Sequence, residues 1–151
     1  MKRFAALLLA PALLAGCGSS QSEADGPVLS YDNAFIMAPI AGRDVTMGGI
    51  EISVKGADVT LTGVSTDIAG TVETHTMAME DGTMKMRKVD GFELADGDTL
   101  VLERGGNHLM LFDVVDGLAA GDTANLSFIF ETGDDEMLTL QAKAEVRAQG
   151  E

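Results

Sequence analysis

A chain of 151 residues with a formal net charge of −14 is long enough for one domain, or one domain plus a tail, around a single core. The acidic balance argues against nucleic acid or anionic lipid as partners, since both repel a polyanion. The carboxylates are spread through turn-like segments and read as a solvated surface. One cysteine excludes an internal disulfide framework.

The first segment stands apart. Met1-Lys2-Arg3 is a basic start, and "FAALLLAPALLA" is an apolar run broken by Pro11. The run is too short for an ordinary bilayer-spanning helix and reads as a secretory signal over residues 1–16. It ends in Leu14-Ala15-Gly16-Cys17, which resembles the lipobox of bacterial lipoproteins. That resemblance implies cleavage before Cys17 and lipidation of its sulfur and amine. The protein is then expected in the periplasm, held to the membrane through the lipid anchor only. Gly18, where an Asp would resemble an inner-membrane retention signal, favours the outer membrane. Residues 17–27 are small and polar and read as the lipidated Cys plus a flexible tether, with a span of about 2 nm.

Residues 28–151 read as a single β domain. From about Val28 onward, short apolar-rich runs alternate with turn signals at Lys55-Gly56, Asp81-Gly82, Asp96-Gly97, Gly105-Gly106, Asp116-Gly117 and Gly133-Asp134. The runs "VTMGGIEISV", "DVTLTGVS", "TVETHTMAM", "TMKMRKV", "DTLVLE", "HLMLFDV" and "TANLSFIFE" read as strands. "EMLTLQAKAEV" has a helix-like composition, but the alternation of Leu138, Leu140, Ala142, Ala144 and Val146 predicts a final strand. Many short strands at even spacing predict an all-β Greek-key sandwich or barrel.

Asp81-Gly82 is a strong signal for a two-residue hairpin turn. The tightest register opposes Met79 to Met84 and Met77 to Met86, with His75 diagonal to Met86. Strand alternation then gathers His75, Met77, Met79, Met84 and Met86 on one face, while Thr74, Thr76, Lys85 and Arg87 take the other. The second histidine, His108, shares a strand face with Met110, and Leu109 and Leu111 point the opposite way.

Thioether sulfur is a soft, neutral donor suited to Cu(I) and poorly suited to zinc, calcium or magnesium. Imidazole ligates copper in either oxidation state. Thiolates oxidise or pair outside the cytoplasm, whereas thioethers are better suited to hold Cu(I) there. A site of neutral donors keeps one positive charge, which favours a position near the surface. Methionine is also a flexible core filler. Packing is the default for Met37, Met47 and Met137, and for Met77 and Met79 packing and a place beside the metal both stand. A Ser-His-Asp set, a phosphate-cradling glycine loop and a redox cysteine pair are all absent, so the chain reads as a carrier and not an enzyme.

The spacing His75-x10-Met86-x21-His108-x-Met110, with "VETHTMAMEDGTMKMRKVDGFEL" and "LERGGNHLML" around it, resembles the PCu(A)C family of periplasmic copper chaperones. The resemblance covers roughly Val45 to Val146. It implies a copper-binding domain over residues 28–151, with a cupredoxin-like fold and a Cu(I) site of His75, Met86, His108 and Met110. It also implies supply of copper to the CuA centre of cytochrome c oxidase subunit II, alongside Sco-type thiol proteins, by a chain acting as a monomer. A periplasmic copper buffer and a metal-free structural sandwich remain the alternatives. Some members carry a His- and Met-rich C-terminal extension; "AEVRAQGE" holds no such donors, so a second site for Cu(II) is not expected.

Overall fold

The computed structural model describes residues 26–150. The expected signal peptide, Cys17 and nearly all of the tether lie outside the described residues. Ten strands account for the fold: β1 (Val28–Met37), β2 (Val45–Lys55), β3 (Val59–Thr66), β4 (Ala69–Glu80), β5 (Thr83–Val89), β6 (Phe92–Leu94), β7 (Thr99–Leu102), β8 (His108–Val114), β9 (Thr123–Thr132) and β10 (Met137–Arg147). No helix occurs among the described residues.

The strands hydrogen-bond in the order β5-β4-β8-β2-β1-β10-β9-β3-β6, with β7 added to β2. Neighbours that are distant in sequence, such as β4 beside β8 and β2 beside β8, give the Greek-key character. The two halves of this path face each other. Ile50, Ile52, Leu109 and Leu111 from one half pack with Leu61, Leu126, Phe128 and Phe130 from the other in a single core. The expected all-β, cupredoxin-like sandwich is the observed architecture.

β1 joins the halves. It pairs antiparallel with β2 and parallel with β10, and its register shifts between Asp32 and Phe35. Asn33 takes φ of 52° at this bulge, a left-handed conformation that Asn tolerates better than most residues. β1 carries a weak local strand signal, because Asp32-Asn33 interrupts the apolar run and mimics a turn. Tertiary pairing on both sides overrides that turn-like signal.

β5 and β6 follow each other in the chain yet lie at opposite ends of the hydrogen-bonded path. Gly91 makes their connection, and a Cβ there would sit 2.1 Å from the Leu61 carbonyl oxygen. Only glycine lets the chain pass that close. The connection carries the chain from β5, the outer strand of the hairpin, across to the other half of the sandwich.

Candidate metal centre

Register builds the site. The β4–β5 hairpin closes through Asp81 and Gly82 with φ of 50° and 77°, as a type I′ turn requires. The pairs are Glu80 with Thr83, Met79 with Met84, and Met77 with Met86. His75 opposes Lys88, so it lies diagonal to Met86 as expected. The other face is tied down by Glu80, which binds Lys85 at 3.2 Å and also Arg87.

The second strand edge of β4 pairs with β8. His75 stands directly opposite His108, and Glu73 opposite Met110. The two imidazole rings lie 5.8 Å apart between centroids with a 41° tilt. Alternation sends Leu109 and Leu111 into the core, both fully buried, and leaves His108 and Met110 on the outer face. On the far side of β8, Met47 of β2 opposes Met110. A cavity of about 300 Å³ is lined by Met47, Met86, His108 and Met110, with Arg43 and Arg104 among its other walls.

The hydrogen bonds assign the imidazole nitrogens. His108 Nδ1 lies 2.9 Å from the Gly106 carbonyl oxygen, which can only accept. Nδ1 therefore carries a proton, and in the neutral ring Nε2 keeps the lone pair. His75 Nε2 lies 2.9 Å from Glu73 Oε2. Glu73 is a carboxylate: the hydrogen bond from Lys88 (Nζ–Oε1 2.8 Å), then that from His75, hold its pKa below the usual value, against a smaller opposing effect of burial. His75 Nε2 thus donates, and in the neutral ring Nδ1 keeps the lone pair. That Nδ1 is buried with no hydrogen-bond partner. An unsatisfied buried acceptor costs roughly 1–3 kcal/mol, and a bound cation would relieve it. Each ring is fixed by a hydrogen bond at one nitrogen and presents the other, which is how metal-binding histidines are commonly oriented.

His108 is 5% exposed and Met86 50%, so the donors run from the protein interior to open solvent. Among the described residues, no group of three or more His, Cys, Asp or Glu side chains could hold a metal. The donor set here is imidazole and thioether, which suits a soft monovalent ion.

Residues 29–142 match the family described as "Putative lipoprotein LpqE-like". The chain belongs to the LpqE-like family. No protein in the curated set matches the sequence. Among solved structures, the copper-bound PCuAC domain from PmoF2 is similar at a TM-score of 0.61 and 18% identity, over 80% of this chain and 92% of that one. Apo-DR1885 from Deinococcus radiodurans is similar at a TM-score of 0.56 and 20% identity over the whole of both chains. The Cu(I) form of DR1885 gives 26% identity and a TM-score of 0.56 over 82% of this chain and 79% of that one. The LpqE-like chain therefore has the fold of PCuAC domains, and the resemblance drawn from its sequence holds at the level of family and fold.

Methionine roles are sorted by burial. Met37 is core, as expected. Met137 is exposed on β10, so the expectation that it packs is corrected: it falls on the outward side of the alternation. Met47, also read as packing, lines the cavity beside Met110. Met79, Met84 and Met86 are 65%, 47% and 50% exposed, so core packing does not account for them. Glu73, Lys88 and Gly106 are absent from the sequence reading of the site. Glu73 was within reach, because it lies two residues from His75 on the same strand face. Met47 was not, because its place depends on which strand lies beside β2.

Proposed function

We propose that this LpqE-like chain is an extracytoplasmic Cu(I) carrier of the copper-chaperone type, with His75, Met86, His108 and Met110 as ligands. The carrying observation is the imidazole pair. His75 offers a buried, unpartnered Nδ1 and His108 an available Nε2, on neighbouring strands whose next same-face positions bring in thioethers. Four neutral donors would leave the bound ion its single positive charge, which the half-exposed Met86 keeps close to water.

Copper is cargo in this reading. The two histidines and Met110 are held by strands in the middle of the sheet, whereas Met86 lies on β5 at its edge. Met86 is the donor that an incoming ligand displaces first, and the remaining donors follow one at a time. No electron is transferred, since one bond to Cu(I) forms as another breaks. A thiolate acceptor is softer than a thioether and takes the ion downhill. The recipient that the PCu(A)C resemblance implies is the CuA site of cytochrome c oxidase subunit II, with Sco-type proteins acting alongside. The anchor would be lipid on Cys17, in keeping with the lipoprotein description of the family, with the domain in the periplasm at the outer membrane. Half-exposure of Met86 favours delivery over storage in a copper buffer, where an enclosed ion would be expected.

An anaerobic Cu(I) titration against a chromophoric chelator tests the proposal. One tightly held equivalent, lost in a Met86→Leu, His108→Ala double variant, is the expected result. Equal binding by both proteins would overturn it. A deletion strain then separates delivery from storage: low oxidase activity in scarce copper marks a chaperone, and copper sensitivity marks a buffer.

A further inference from the structure

Beyond the four proposed ligands, three thioethers remain on the same face of the β4–β5 hairpin. Met77 opposes Met86, and one same-face step toward the tip Met79 opposes Met84. Consecutive pairs on one strand face are separated by about 7 Å, and directly opposed Cβ atoms by about 5 Å. Methionine has three rotatable side-chain bonds, so thioethers at these positions can converge on one ion.

Three observations single out this group. The first is exposure: Met79 and Met84 are among the exposed large hydrophobic residues of the domain, at a hairpin tip with no core beneath them. The second is charge. Every cation of the hairpin is paired with a carboxylate, Lys85 and Arg87 with Glu80 on the opposite face and Lys88 with Glu73. No unpaired hairpin cation is left to repel an approaching metal ion. The third is continuity, because the thioether row leads through the Met77–Met86 pair to the cavity that holds His108 and Met110.

We propose that Met77, Met79 and Met84 form a second, weaker Cu(I) site at the hairpin tip, through which the ion enters and leaves the histidine-containing site. The inference rests on the function proposed above. Thioethers alone bind Cu(I) less tightly than a set that includes imidazole, so the tip site fills second. Transfer between the two sites is ligand exchange in which Met86, next to Met77, is the donor of the inner site that faces the tip. A surface meant only to grip a partner protein would need apolar area, which leucine supplies as well. A row of thioethers adds soft-metal affinity that leucine lacks.

The test uses the full chain carrying Cys17→Ser in mild detergent, so that no thiol competes. Methionine methyls are labelled with 13C and Cu(I) is added anaerobically from a chromophoric chelator complex. The first equivalent is expected to shift the Met86 and Met110 methyls. The second, bound more weakly, is expected to shift Met77, Met79 and Met84. A Met79→Leu, Met84→Leu variant conserves volume and apolar character at exposed positions, and its unchanged amide spectrum confirms folding. It should keep the first equivalent, lose the second, and slow Cu(I) transfer to the chelator. A wild-type chain that takes up one equivalent and leaves the tip methyls unmoved overturns the tip site and spares the inner one. A second equivalent that survives in the variant also overturns it. No binding at all removes the proposed function together with this inference.

Discussion

His75 and His108 face each other across β4 and β8, yet their free nitrogens differ: Nδ1 on His75 and Nε2 on His108. The difference comes from their hydrogen-bond partners. Glu73 accepts a hydrogen bond from Nε2 of one ring, and the Gly106 carbonyl accepts one from Nδ1 of the other. In the 15N spectrum of the imidazoles, Cu(I) should therefore move Nδ1 of His75 and Nε2 of His108. The same nitrogen moving on both rings would contradict this assignment.

Glu73 should matter without touching the metal. Its carboxylate accepts hydrogen bonds from both His75 and Lys88, which fixes the ring and its tautomer. Glu73→Gln keeps the shape and removes the charge. Partners of this kind typically contribute 10–100-fold to metal affinity, so Cu(I) binding should weaken by about tenfold with the same stoichiometry. Competition against a chromophoric chelator reads the change, and an unaltered affinity would deny Glu73 that role.

Met47 lies beside Met110 on β2 and lines the cavity. As a wall and not a ligand, it should tolerate Met47→Leu with less than about a tenfold loss of Cu(I) affinity, below the 10–100-fold effect of an orienting partner. Met110→Leu removes a donor and should cost more. Equal losses in the two variants would make Met47 a ligand in its own right.

The hairpin should loosen in acid. Hydrogen bonds from Arg87 and then Lys85 hold the Glu80 pKa below the ordinary value of 4.5. A carboxyl depressed in the folded state stabilises it above the unfolded pKa, and that contribution is lost as pH falls through the folded value. Glu73 is depressed as well and acts in the same direction. Amide exchange at the β4–β5 tip should therefore speed up below pH 4.5, relative to the intrinsic rate, while β9 stays protected. Glu80→Gln should exchange faster at neutral pH and show a smaller acid step. A tip whose protection is flat across this range would deny the ion pairs their part.

The site depends on the core beneath it. Leu111 is fully buried on the inner face of β8, one residue from Met110. Leu111→Ala should cost about 2–5 kcal/mol of stability through lost burial and the cavity left behind. Denaturant unfolding measures it. A loss below about 1 kcal/mol would mean that β8 is not anchored by this side chain.

By itself, the sequence determined what is local. Alternation and the Asp81-Gly82 turn set the β4–β5 register, and with it the common face of His75, Met77, Met79, Met84 and Met86. Alternation likewise set His108 and Met110 outward and Leu109 and Leu111 inward, because one buried face forces the phase of a strand. Glu73 was legible by the same parity. The order of strands was decided by tertiary structure alone. Period-two patterning says which face a residue takes and is silent on which strand lies beside it. β1 was hidden for a related reason, since Asp32 and Asn33 sit at a bulge that only pairing on both edges explains. Placing β8 between β4 and β2 is a contact between segments far apart in sequence, stabilised by packing Leu109 and Leu111 in a core shared with Phe128 and Phe130. That burial, on the face away from the donors, sets His108 against His75 and Met47 against Met110.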